Sequence, residues 1–410
     1  MTQYAPPSAD HSDLIDGPYA WTRLAVSVLL ATIGGVGMWS VVVALPAVQA
    51  EFAVDRGDAS LPYTLTMLGF GLSGIAMGRL ADRFGIALVV AGGSVALALG
   101  YIAAGFAPSL WLVTIAQGLL IGVGSAATFG PLIADVSHWF LRRRGIAVSI
   151  CAAGNYLSGT VWPPLLQHFI QSVGWRTTYI GIGLFCAVTM LPLVLALRRR
   201  AVLHDAGPLS GMAGGRSLGL SPNALLALLS LAGVACCAAM SMPQVHIVAY
   251  CGDLGYGVQS GAIMLSLMLG FGIISRVTSG WIADRIGGVA TLLLGSALQG
   301  TALVLYLMFS GLNALYVISA LFGLFQGGLV PSYAIIVREY FPAQEAGTKV
   351  GIVLLATLIG MAFGGWISGV IFDLTGSYQA AFANGLAWNL LNGAIALFLL
   401  LRLGRRPVYA

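Results

Sequence analysis

One arginine stands by itself deep in an apolar segment. Arg276 lies eight residues before the charged residue Asp284, about 12 Å back along a helix at 1.5 Å per residue. No Asp or Glu falls at comparable depth in the apolar segments of the second half of the chain. A guanidinium does not give up its proton, so in nonpolar surroundings it must find an anion. Its planar fork suits a carboxylate taken bidentately. One such cation suits one carboxylate, which predicts a small monoanion as the ligand. The alternative is an arginine held by backbone carbonyls and water.

Secondary candidates are polar groups on neighbouring apolar segments. His246 is read as lying near the outer end of its segment, where it can hydrogen-bond the anion or carry a proton; a lone histidine there is often merely solvated. Tyr333, after Pro331, offers one donor on an apolar body, which suits a hydroxy- or keto-acid. Asn155 and Tyr156 reach mid-depth in another segment, where packing explains them equally well. Trp39 and Phe129 read best as core residues.

The elements that must carry these residues are membrane helices. Hydrophobic residues make up 58% of the 410 and charged residues 8%, against about 25% charged in a soluble domain. Apolar windows of about 20 residues, enough for roughly 30 Å of hydrocarbon, recur near 23–45, 60–80, 87–107, 110–136, 145–168, 177–197, 223–250, 260–282, 288–309, 313–337, 350–372 and 380–401. The runs are too continuous for a barrel. The sequence therefore predicts an all-α membrane protein with twelve transmembrane helices in two six-helix lobes. The expected divisions are a tail at 1–22, lobes at 23–200 and 223–402, a linker at 201–222 and a tail at 403–410.

Arg79, Arg83, Arg142, Arg143, Arg144, Arg198, Arg199, Arg200, Arg216, Arg285, Arg338, Lys349, Arg402, Arg405 and Arg406 fall on one side of this arrangement, with Arg23 at the start of the first helix. Only Arg56 and Arg176 fall on the other. The positive-inside rule makes the crowded side cytoplasmic, with both termini and the linker there, in a multi-pass protein of the inner membrane. The net charge of +5 is thus a topology signal, and scattered short-loop charges argue against nucleic acid. Asp10, Asp13 and Asp16 without a basic residue before position 21 make a poor signal peptide. Five cysteines in or beside apolar helices read as small packing residues. No metal-ligand spacing, phosphate loop or nucleophile elbow appears; GFGLSG at 69–74 lies inside a helix. The expectation is no enzyme, no cofactor and no metal.

GRLADRFG at 78–85 returns as GWIADRIG at 280–287, which marks the chain as an internal duplication. Duplicated membrane bundles hold substrate between their halves. Each copy reads as a charged connection between two helices. The element resembles the GxLADRxG loop of the major facilitator superfamily, which implies that superfamily's fold of two pseudo-symmetric lobes. Asp82, Arg83, Asp284 and Arg285 are then gating residues, their carboxylates accepting hydrogen bonds across the bundle when that side is shut. Arg142, Arg143 and Arg144 join the gate and clamp the topology at the lipid headgroups.

Three further stretches resemble the monocarboxylate transporter family, as a bacterial member. DGPYAW, Asp16 to Trp21, is similar to the element before helix 1, departing from it at Pro18 and Tyr19. WFLRRRGIAVSICAAGNYLSG, Trp139 to Gly159, resembles YFxKRRxLAxGxAxAGxxxG leading into helix 5. HIVAYCGDLG, His246 to Gly255, resembles the end of helix 7. The resemblance implies that Arg276 binds substrate. Many members carry an Asp one turn earlier, where this chain has Gly272, so His246 or the substrate itself is expected to handle the proton. Oxalate-transporting relatives place a second cation in helix 11; here the interior from Ile352 to Gly369 has none. The implied function is secondary active transport of a lactate- or pyruvate-like monocarboxylate with a proton, by alternating access. The alternatives are an oxalate/formate-type exchanger and a non-transporting carboxylate sensor. Expected partners are the anion, the proton and the lipid bilayer, in a monomer without an accessory subunit.

Overall fold

The computed structural model describes residues 15–199 and 219–403; most of the expected linker, most of the N-terminal tail and nearly all of the C-terminal tail lie outside the described residues. Twelve helical spans follow one another: α1 (Pro18–Phe52), α2 (Arg56–Phe84), α3 (Ile86–Phe106), α4 (Leu110–Trp139), α5 (Arg144–Val173), α6 (Trp175–Leu195), α7 (Pro222–Asp253), α8 (Val258–Ile286), α9 (Gly288–Met308), α10 (Leu312–Tyr340), α11 (Ala343–Thr375) and α12 (Tyr378–Leu403). Eleven are long and apolar enough to cross a membrane by composition alone. The twelfth, α5, has 30 residues, about 45 Å of helix, and is less apolar because Asn155, Tyr156, Gln167 and His168 lie on it. Backbone satisfied within each helix is what hydrocarbon demands.

Where a helix breaks, side chains repair it. α1 is interrupted at Gly35. Ser125 Oγ donates to the Gly34 carbonyl at 3.0 Å and Trp162 Nε1 to the Thr32 carbonyl at 2.8 Å, so α4 and α5 supply the donors the helix has lost there. In α4 the break is a π-helical stretch, Gln117–Gly122.

The duplicated motif is helical rather than a loop, which corrects the sequence reading. α2 and α8 run through it to Phe84 and Ile286, and the turn is a single glycine, Gly85 (φ 89°) or Gly287 (φ 83°). Their amides donate to Ala81 and Ala283 at 2.8 and 2.9 Å. A side chain at that φ would be strained, which gives the last Gly of the motif its reason.

Besides Arg276, two arginines near the starts of their helices are buried within the helical body. Arg23 is 1% exposed and clamps Asp135 bidentately, at 2.8 Å from both Nε and Nη2, beneath the Trp139 ring. Around this pair the two resembling stretches of the first lobe meet. Asp16 accepts from the backbone amides of Leu141 and Arg142, Tyr19 packs edge-on against Trp139, and Trp21 against Phe140. Arg56, read from sequence as a topology exception, is 7% exposed.

Between the lobes, contact is confined to one end and the middle. α2 meets α11 where Tyr63 packs on Gly365, Thr64 Oγ1 donates to the Ala362 carbonyl at 3.1 Å, and Leu355 and Leu358 touch Gly71. α5 meets α8 where Leu269 lies against Gly159 and Ser266 donates to the Thr160 carbonyl. Toward the end that carries the duplicated motifs, a Cβ placed on Gly74, Gly78, Gly145, Gly280, Gly347 or Gly351 would meet no neighbour. The lobes are closed at the Arg56 end and apart at the motif end.

Candidate functional site

Arg276 lies on α8, partly buried, with its Cζ 4.3 Å from the centroid of the Tyr156 ring of α5. Among the described residues its side chain has no hydrogen bond or ion pair, and its Nε is buried without an acceptor. A cation over an aromatic face gains about 2 kcal/mol when shielded from water, but the contact satisfies none of the guanidinium's five donors. One turn earlier, a Cβ on Gly272 would run into Cε1 and Cδ1 of that same tyrosine ring. Asn155, beside Tyr156, also has a buried carbonyl oxygen without a donor, and the buried indole N–H of Trp39, which lies against Gly159, has no acceptor. These unmet polar atoms occur where the two lobes touch at mid-length.

The structure brings Arg276, Tyr156 and Asn155 to the lobe interface but does not bring His246 or Tyr333 to them. Tyr333 is fully buried in the second lobe, donating to Asn392 Oδ1 at 2.8 Å. Phe129 packs on Phe70. His246, expected near the surface, is 0% exposed. Its Nε2 lies 2.7 Å from the Gly365 carbonyl and its Nδ1 3.2 Å from Tyr378 Oη.

That histidine belongs to a joint between the lobes which sequence reasoning missed. From the first lobe, Arg56 Nη1 reaches Asp253 Oδ2 at 2.8 Å, on α7, and Tyr378 Oη at 2.6 Å, on α12. The amides of Arg56 and Gly57, at the N-terminus of α2, donate to the two carboxylate oxygens of Asp373 on α11 at 2.8 and 2.7 Å. The Arg56 guanidinium also lies 4.5 Å over the Phe372 ring. The directions of the bonds agree with one another. A carbonyl only accepts, so Nε2 donates to Gly365; in the neutral ring Nδ1 then accepts from Tyr378, whose oxygen accepts from Arg56. The sequence held one hint, since Arg56 is one of two basic residues on its side and Asp253 and Asp373 end helices there.

The expected gate at the other end is not assembled in this state. Asp82, Arg83, Asp284 and Arg285 are exposed, and none forms an ion pair among the described residues. Arg83 lies over Phe84 and Arg285 over Trp281, each on its own helix. Arg142 and Arg143 are exposed, and Arg144 donates to Ser137 at 3.2 Å within its own lobe.

Two six-helix lobes joined at one end, with an unpartnered cation at mid-length between them, define a multi-pass membrane transporter rather than an enzyme. The sequence model of the Major Facilitator Superfamily matches residues 27–313 and 277–409, and the chain belongs to that family. Within it, the chain resembles the monocarboxylate transporters. It is 32% identical over 308 residues to monocarboxylate transporter 13 of Bos taurus, spanning 74% of this chain and 71% of that one. It is 26% identical over 381 residues to monocarboxylate transporter 11 of Mus musculus, spanning 90% and 84%. The fold is that of the solved nucleoside transporter NupG, with a TM-score of 0.72 at 14% identity over 93% of this chain and 99% of that one.

Proposed function

We propose that the protein carries a small monocarboxylate, of lactate or pyruvate type, together with a proton across an inner membrane by alternating access. The observation that carries this reading is Arg276, a guanidinium without an acid at the mid-length contact of the lobes. The anion binds its fork bidentately, and Asn155 supplies a further polar contact. A dianion would call for a second cation nearby, and α11 has none between Ile352 and Gly369. The monocarboxylate transporters among its relatives support the same substrate class. Tyr333 is kept as a second-lobe residue that meets substrate only after rearrangement.

The two lobes, 23–200 and 223–402, rock about the central site, joined through the linker at 201–222. Both termini lie in the cytoplasm with the basic end, so the present state opens inward and the Arg56 joint closes the outer side. Protons couple through His246. A proton on Nδ1 would turn that nitrogen into a donor, force the Tyr378 hydroxyl to reverse and add a positive charge next to Arg56. The outer joint is weakened by protonation, and outward opening follows. Without a proton, one negative charge entering against 100 mV costs about 2.3 kcal/mol. On the cytoplasmic side, Asp82 with Arg83, Asp284 with Arg285, and the run Arg142–Arg144 form the gate when that end shuts.

The test is uptake of labelled lactate and pyruvate into proteoliposomes, with anion-induced thermal stabilisation in detergent. Arg276→Ala should abolish both while the protein stays folded, because no internal carboxylate is stranded by the change. Arg276→Lys keeps the charge but loses the fork, and binding should weaken about tenfold or more. Near-native lactate or pyruvate binding by Arg276→Ala would reopen the substrate class. His246→Ala should reduce uptake driven by a pH gradient more than equilibrium exchange; equal loss in both would remove it from coupling.

A further inference from the structure

We infer that Tyr156 is a positioning residue for Arg276: its ring, seated in the space that Gly272 leaves open, is the uncharged resting partner of the guanidinium, and anion binding there consequently needs no protonation of an internal acid. This rests on Arg276 being the anion site, as proposed above.

The packing leaves room for one side chain at this level, not two. α5 and α8 touch on one side of it, at Gly159 with Leu269 and at Thr160 with Ser266, and on the other side Gly145 and Gly280 face no neighbour. The Tyr156 ring occupies the slot, and any Cβ at 272 would strike it. Position 272 lies one helical turn before Arg276 on the same face, the place from which an acid on α8 would reach the guanidinium. The ring therefore excludes an internal carboxylate and offers its π face in its place.

The difference is chemical. An arginine neutralised by its own acid must be freed before it can bind a second anion, and protonation of that acid is the usual way, which ties affinity to pH. An arginine resting on a ring keeps its full charge and all its donors for the incoming carboxylate. The ring belongs to the first lobe and the arginine to the second, so the same contact holds the guanidinium at the joint between them.

The experiment measures the stabilisation of the full-length protein in detergent by lactate and by pyruvate, from mildly acid to mildly alkaline pH. With His246→Ala, which removes the proton site proposed above, the affinity should not change across this range, where both probes stay ionised. Tyr156→Phe keeps the face and should bind within about twofold of wild type, while Tyr156→Leu should weaken binding about tenfold. Gly272→Asp combined with Tyr156→Ala exchanges the ring for an acid, and its affinity should fall as pH rises.

An affinity of the His246→Ala variant that falls with rising pH would overturn the inference, as would wild-type binding by Tyr156→Leu. Failure of the underlying site reading looks different. If Arg276→Ala still binds the probes, or the wild type binds neither, the anion site is wrong and this inference goes with it. If Arg276→Ala loses binding and Tyr156→Leu does not, only the role of the ring is wrong.

Discussion

Arg23, Arg56 and Arg276 share one helical body, and each is held in a different way. Arg23 has a carboxylate gripped by both arms of its fork, Arg56 has an acid and a tyrosine hydroxyl, and Arg276 has a ring. Removing one member of a buried pair leaves an uncompensated charge at a cost of about 3–5 kcal/mol. Asp135→Ala should therefore lower the unfolding temperature in detergent sharply, and Arg23→Met with Asp135→Leu should recover most of the loss. Equal destabilisation by the single and the double variant would mean that the pair does not act as a unit. Arg276 was legible in the sequence because no other charged residue lies within a turn of it on either side. Arg23 and Arg56 were not, because each begins a helix and its acid lies 112 or 197 residues away. His246 was misjudged for a related reason: distance from a helix end predicts depth in lipid, and says nothing about how many other helices cover the ring.

At the scale of elements the apolar windows located every span, and the helices overrun them. The window 350–372 belongs to a helix from Ala343 to Thr375, and 260–282 to one from Val258 to Ile286. Polar residues that leave the hydrocarbon keep their helical hydrogen bonds in the headgroup layer, so hydropathy reads the lipid and not the helix. That is why the duplicated motif looked like a loop. The joint at Arg56 depends on helix ends in the same way, since the first two amides of α2 have no partner within their own helix and take Asp373 instead. Asp373→Asn removes the charge opposite that helix end, worth about 0.3–2 kcal/mol. Spin labels placed on α2 and α11 at this end should then show a broader and longer distance distribution than in wild type. An unchanged distribution would assign the joint to Arg56 and Asp253 alone.

Taken whole, the molecule is two lobes in contact over half their length, and the duplication visible in sequence made that division readable. Which half would be in contact was not readable, because the duplication makes the two ends of the bundle look alike in sequence. Six of the glycines that face no neighbour, Gly74, Gly78, Gly145, Gly280, Gly347 and Gly351, lie on α2, α5, α8 and α11 toward the open end. Gly280→Leu should leave thermal stability within about 0.5 kcal/mol of wild type, yet lower net transport about tenfold if it costs the opposite state about 1.4 kcal/mol. Loss of stability in step with transport would show that the position already has a neighbour here. The wider consequence concerns how variants of such a protein are judged. On the alternating access proposed above, a substitution at these positions should be silent in assays of folding, abundance or melting, and harmful only when the gap closes. Stability and activity are scored on different conformations, so a screen based on either alone will misclassify this face of the protein.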